Sequence, residues 1–365
     1  MPRDAGTLRA DSRLISVCDN DYLRLRAHPH LIEAVREAAK KWGVGGGSSR
    51  LVAGGSPVHC DLEERFARFK HAQAALLFPT GYMANLAVLS ALAQPGDLLA
   101  LDKHSHASLI DGARLASAQG AMMRTFPHGR LDRLASLLSE HRNAHPDAAR
   151  FIVTDTVFSM DGDIADLAGL AALRNEFDAA LIVDEAHATG VLGPQGQGAD
   201  ADGLADVTIS TASKALGSLG GIVSGPSLMI DWLVNAARPF IYTTAAMATQ
   251  AAAIDAALDL VESQPQRRER LAQVGAAVRA GLSRLGFEAC GAPTPIVPII
   301  VGSAQRAVAL AAHLRAHGVL APAIRPPTVA PNTARVRLSL HCDLTDEDVD
   351  RLCRVVCSFG ESNPT

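Results

Sequence analysis

No apolar run in this chain is long enough to cross a bilayer, and its polar start, Met1-Pro2-Arg3-Asp4, is not a secretory leader. Six cysteines (Cys18, Cys60, Cys290, Cys342, Cys353 and Cys357) form no Cys-x-x-Cys pair and no metal-ligand spacing. They read as mostly buried, reduced thiols of a cytoplasmic protein, with no metal site implied. The formal net charge of −4 gives no basic excess, and so no reason to expect nucleic acid or an acidic membrane surface as a partner. A Gly-x-x-x-x-Gly-Lys-Ser/Thr loop is also missing, which leaves a nucleotide P-loop unsupported.

What the chain does have is enough apolar content, 48% of 365 residues, for a large core and two domains. A short strand (14–17) and an amphipathic helix (30–41) precede a glycine- and serine-rich stretch, Gly43 to Gly55. That stretch reads as a linker, or as a loop whose backbone approaches a ligand. Short apolar strands then alternate with helices: 74–78, 98–101, 151–154, 181–183, 207–210 and 221–223. Such alternation predicts an α/β fold with a mainly parallel, doubly wound sheet. An Ala-rich helix (245–262) leads to an αβαβα tail whose last helix opens at Thr345, with Asp348 at capping-box spacing. The expected division is an N-terminal segment (1–42) packing with the small domain, a large domain (43–250) and a small α+β domain (251–365).

Several strand ends carry chemistry. Asp184-Glu185-Ala186-His187 follows the apolar run 180–183, and Ser213-Lys214-Ala215-Leu216-Gly217 follows Val207-Thr208-Ile209. Buried strands of a helix-covered sheet present ligands at their carboxyl ends. A carboxylate there needs a cation or a donor to stay ionised, and a protonated pyridine nitrogen is one such partner. A lysine there can anchor an aldehyde cofactor as a Schiff base and, once released, act as a base. In Phe78-Pro79-Thr80-Gly81-Tyr82-Met83-Ala84-Asn85 a strand gives way to a helix whose N-terminus suits a phosphate; alone it reads as an ordinary turn. His104 and His106 follow the strand 98–101, where an imidazole can stack on an aromatic ligand or simply occupy a polar loop. Asp155, Asp161 and Asp163 suggest either a magnesium site or, for the latter two, capping and turn residues.

In this order, from Asn20-Asp21-Tyr22-Leu23 to about Leu352, these segments resemble the α-oxoamine synthases of the fold-type-I pyridoxal-phosphate enzymes. The stretch Ala323-Ile324-Arg325-Pro326-Pro327-Thr328-Val329, followed by Thr333-Ala334-Arg335-Val336-Arg337-Leu338, is similar to the member that joins alanine to a pimeloyl thioester in biotin synthesis. The resemblance implies an aspartate-aminotransferase-like fold, pyridoxal 5'-phosphate as cofactor, and C-acyltransferase activity. By the same resemblance Lys214 is the covalent anchor and base, Asp184 pairs with the ring nitrogen, and His187, with Ser159, bonds the phenolic oxygen. His106 stacks on the ring, while Gly81, Tyr82 and Thr211 hold the phosphate. Thr244 reaches the phosphate of the other subunit of a homodimer with its active site at the interface. Arg337 grips the amino-acid carboxylate, because a guanidinium fork suits it, and Asn20 and Ser49 face the substrate. Arg335 and Arg337, two apart on a strand, share a face and compete for the clamp. The acyl donor is an acyl-CoA or an acyl-carrier-protein thioester.

The chain departs from the family where the acyl donor binds. The N-terminal extension with an arginine near the substrate entrance is missing, and Arg3 is a poor substitute. Ser48 stands for a glycine in Gly47-Ser48-Ser49-Arg50, and Thr243-Thr244-Ala245-Ala246-Met247 lacks a Ser/Thr-x-Pro-Pro run. Competing readings are a synthase using glycine, or one using serine and a long acyl chain. An ATP-driven helicase read from Asp-Glu-Ala-His, and a non-catalytic scaffold, are the remaining two.

Overall fold

The computed structural model describes residues 14–284 and 292–362; Arg3 and Cys290 lie outside the described residues. It divides into two compact units. The larger comprises Leu23–Ser159 and Ile164–Arg268, and the smaller takes the described residues up to Tyr22, Met160–Asp163, and those from Glu269 onward.

The larger unit is built on a seven-stranded sheet. In spatial order its strands are Ala74–Phe78, Gly221–Gly225, Val207–Thr211, Ala180–Asp184, Arg150–Asp155, Leu98–Asp102 and Met122–Phe126. All run parallel except Gly221–Gly225, which is antiparallel to both neighbours. The period of two in a strand sends alternate side chains to opposite faces. Leu99, Leu101, Val153, Ile182, Ile209 and Val223 meet the helices Gly81–Leu92, Ala107–Ala118 and Ser227–Ala236 on one face. Leu98, Ala100, Ile152, Leu181 and Val183 meet Leu131–Ala144 and Leu167–Phe177 on the other. Burial on both faces explains why these strands read as continuous apolar runs.

Two close backbone approaches set the geometry of one sheet corner. A Cβ on Gly112 would sit 3.0 Å from the Asn85 carbonyl oxygen and 3.2 Å from Leu86 Cα, so helices Gly81–Leu92 and Ala107–Ala118 meet closely at this glycine, with little room for a side chain. A Cβ on Gly221 would lie 2.5 Å from the Thr80 carbonyl oxygen, which presses the start of helix Gly81–Leu92 onto the antiparallel strand.

Helix Pro29–Trp42 packs on helix Ala248–Ser263 within this unit, and Arg65 on Pro57–Phe69 binds Asp255, Asp259 and Glu262 of the latter. The division therefore follows Arg268, whereas the boundaries expected from sequence lay at 42 and 250. An Ala-rich helix gives no local sign of the side on which it packs; here its buried Ala251, Ile254, Leu258 and Val261 tie it to the larger unit.

In the smaller unit the strand Ala334–Ser339 lies between Ile296–Gly302 and Ala323–Ile324, antiparallel to both, with a register irregularity at Ala334/Arg335. Ile15–Ser16 pairs in parallel with Val319–Leu320. The last helix, Asp346–Ser362, opens as its spacing predicts: the Thr345 hydroxyl donates to Asp348, whose backbone N–H donates back to it. No helix among the described residues is long and apolar enough to cross a membrane.

Candidate active site

In the larger unit Asp155 and Asp184 lie side by side at the carboxyl edge of the sheet, with Ile209 beside Asp184 and Thr211 ending that strand two residues further on. Asp184 is 5% exposed. Its Oδ1 accepts the Ala186 backbone N–H at 2.8 Å, and its Oδ2 accepts Asn85 Nδ2 at 2.7 Å. Past the end of the next strand, Val207–Thr211, Lys214 Nζ lies 2.8 Å from Nε2 of the buried His187.

Asp155, on the neighbouring strand, accepts the backbone N–H of His106 at 2.9 Å. Burial pushes its carboxyl well above the usual range, and the charge of Asp184 pushes the same way. His106 itself is solvent-exposed, yet desolvation by the surrounding protein holds its imidazole below the ordinary value, against the opposing pull of Asp184. Ser159, half-buried, follows the same strand end.

At the Gly81 corner, the Thr80 hydroxyl caps helix Gly81–Leu92 by accepting the Met83 N–H at 3.2 Å. Thr211 Oγ1 is 2.9 Å from Ser213 Oγ, and a Cβ on Gly81 would come within 3.1 Å of Thr211 Oγ1. Tyr82 donates its hydroxyl to Asp111. A helix N-terminus with bare backbone at Gly81 and two hydroxyls beside it is the chemistry of an anion site. Thr244 and Ser49 flank another part of this unit. Ala245 N–H donates to the Ser48 carbonyl at 2.9 Å, His59 Nε2 donates to the Ala246 carbonyl at 2.7 Å, and Thr244 makes no hydrogen bond to Gly81, Tyr82 or Thr211.

An amine, a buried carboxylate with donors already fixed on both oxygens, an exposed imidazole and a phosphate-shaped corner therefore share one sheet edge. This donor set fits pyridoxal phosphate, which offers an aldehyde, a ring nitrogen, a flat ring and a phosphate dianion.

Residues 12–356 match the family model of aminotransferase class I and II. The 8-amino-7-oxononanoate synthase of Marinobacter nauticus is 45% identical over 96% of this chain and 88% of its own. A solved 8-amino-7-oxononanoate synthase from Francisella tularensis superposes with a TM-score of 0.82 at 28% identity, covering 96% of this chain and 99% of its own. A serine palmitoyltransferase from S. paucimobilis with bound PLP gives 0.89 at 29% identity, over 96% of this chain and 88% of its own. The chain belongs to the aminotransferase class I and II family. It has the PLP-dependent aminotransferase-type fold and, within the family, is an α-oxoamine synthase.

In the smaller unit of this family member, Arg337 is buried, with both terminal nitrogens 3.3 Å from Asn20 Oδ1 and Nη1 donating to Ser339 Oγ at 2.7 Å. Tyr22 donates to the same Asn20 oxygen at 3.1 Å, and burial pushes its phenol up to about 12, so it stays a neutral donor. Arg335 instead ion-pairs with Asp161 at 2.5 Å and donates to the Met160 carbonyl. The two arginines thus separate by partner: a carboxylate for Arg335, a neutral amide and a hydroxyl for Arg337. Asp161 is engaged with Arg335, and no three His, Cys, Asp or Glu side chains among the described residues converge as metal ligands do.

Three site-supporting features escape sequence reasoning. Asn85 and Ser108 join Asp184 to His106, as developed below. Glu185, fully buried between Asp184 and His187, pairs with buried Lys70 and accepts the Asp200 N–H at 2.8 Å. A Cβ on Gly198 would overlap the Glu185 carboxylate, so this glycine gives that side chain its room.

Proposed function

We propose that this chain joins L-alanine to a pimeloyl thioester with loss of carbon dioxide, giving 8-amino-7-oxononanoate for biotin synthesis. The likeness to the Marinobacter nauticus synthase over 96% of the chain carries this reading. Pyridoxal phosphate, when bound, supplies an aldehyde for the substrate amine and a ring that withdraws electrons from the reacting carbon.

The chain's own residues do the rest. Lys214 would hold the aldehyde end of the cofactor, and its Nζ, when free, would take the proton from the alanine Cα. His187, whose Nε2 lies 2.8 Å from that nitrogen, would with Ser159 bind the phenolic oxygen of the cofactor. Asp184 holds the ring nitrogen by charge, its carboxylate oriented by Asn85 and Ala186. His106 covers the ring face. Gly81, Tyr82 and Thr211 bind the phosphate, and Thr244 reaches that of the other subunit in a homodimer. Arg337 clamps the alanine carboxylate, with Asn20 and Ser49 on the substrate side. The donor is an acyl-CoA or acyl-carrier-protein thioester, and the setting is the cytoplasm.

Alanine-dependent release of thiol and carbon dioxide from a pimeloyl thioester tests the proposal. Since serine palmitoyltransferases are structural neighbours, glycine and serine with long-chain acyl thioesters are the comparison. Turnover with one of those and none with alanine would overturn it.

A further inference from the structure

Asn85 is 2% exposed and Ser108 is fully buried. Their side chains form one continuous path. Asn85 Nδ2 lies 2.7 Å from Asp184 Oδ2 and 2.7 Å from Ser108 Oγ, and Ser108 Oγ lies 2.6 Å from His106 Nδ1.

The direction of each hydrogen on this path follows from chemistry. The Asp184 carboxylate accepts, so the amide must present its NH2 there and not its oxygen. Those two N–H groups serve Asp184 and Ser108. Ser108 Oγ therefore accepts from Asn85 and has its own hydrogen left for Nδ1. The Ser108 backbone N–H also points at His106 Nδ1, at 3.3 Å, because His106 caps helix Ala107–Ala118. Two donors converge on Nδ1, which leaves it as the acceptor and puts the ring proton on Nε2. The glycine contact at Gly112 holds the two helices close enough for Asn85 to reach Ser108.

We infer that Asn85 and Ser108 are positioning residues: a hydrogen-bond relay, Asp184–Asn85–Ser108–His106, in which Asn85 donates to both sides and Ser108 donates on to His106, so that it fixes the Nε2–H tautomer of His106 and aims the Asp184 carboxylate. The relay gives the exposed His106 ring an outward donor and ties its orientation to the buried acid. Its use in the reaction rests on the proposed cofactor contacts of His106 and Asp184; its existence does not.

The test is histidine-selective 13C/15N NMR of the holoenzyme, with His106 assigned by its absence in His106→Gln. The wild type is expected in the Nε2–H form. Ser108→Ala removes one neutral donor and lowers the Nε2–H to Nδ1–H ratio by roughly 2- to 12-fold, while Ser108→Thr keeps it. Asn85→Ala, which removes no hydrogen bond to His106, must still shift the His106 ring signals through Ser108. An Nδ1–H ring in the wild type overturns the relay without any variant, as does an unchanged ratio in Ser108→Ala. Absorbance of the bound cofactor in the same samples reports separately on the functional reading, since loss of cofactor binding leaves the tautomer measurement standing.

Discussion

Lys214 Nζ and His187 Nε2 lie 2.8 Å apart, and one hydrogen serves both. While Lys214 carries its proton, His187 must accept on Nε2 and hold its own proton on Nδ1. Replacing Lys214 by Ala removes both anchor and base. Borohydride should then fix no cofactor on the protein, and alanine turnover should fall by at least about 100-fold, the lower end for a lost general base. An unchanged circular dichroism spectrum would assign the loss to chemistry and not to folding.

Asp184→Asn keeps the shape of the side chain and removes its charge. Its two present donors, Asn85 Nδ2 and the Ala186 N–H, then face an amide of which only one atom accepts. Cofactor affinity, followed by absorbance titration, should weaken by roughly 10- to 150-fold, as for loss of a hydrogen bond to a charged group. Unaltered affinity would remove Asp184 from the ring-nitrogen role.

The two arginines should separate kinetics from stability. Arg337→Ala should raise the KM for alanine with little change in melting temperature beyond lost packing. Arg335→Ala leaves Asp161 without its 2.5 Å partner and should cost about 1.5–3 kcal/mol in denaturant unfolding. The reverse pattern would exchange their roles.

Asp155 gives a pH signature. Its folded-state pKa is raised by burial, so its contribution to stability is greatest below its unfolded value, near 3.8, and is lost as pH rises through the folded value. Asp155→Asn, which can still accept the His106 N–H, should therefore melt higher than the parent at neutral pH. The gap should close as pH falls toward 4, a trend that thermal melts across that range would measure.

Lys70→Met leaves the Glu185 charge buried and uncompensated. Unfolding free energy should drop by about 3–5 kcal/mol, a large share of a domain's total. The double change Lys70→Met with Glu185→Leu should recover much of that loss, because an apolar pair needs no partner.

Much of this was readable in the chain because parallel strands buried on both faces are apolar throughout, so Asp184, Lys214 and His106 stood out at their ends. Met122–Phe126 was not readable: as the sheet's edge strand it exposes Arg124 and Thr125, which interrupts the apolar run. Asn85 and Ser108 are small polar residues among others in their helices, and nothing local marks them as partners. Their meaning appears only when Gly112 lets the helices touch. Lys70 and Glu185 lie on opposite sides of most of the sheet's sequence, so no spacing rule links them. Arg335 and Arg337 looked equivalent until Asp161 claimed one of them.

The antiparallel strand has a consequence in time. Among the described residues Ala74–Phe78 pairs with one neighbouring strand, Gly221–Gly225, with Phe78 opposite Gly221. During synthesis the parallel strands between them can pair as they emerge, but the Gly81 corner has no sheet to rest on until Gly225 has left the ribosome. Closing so long a loop comes late on entropic grounds. A chain interrupted before that strand would carry Asp184 and even Lys214 yet lack the finished Gly81 corner that is proposed to seat the phosphate.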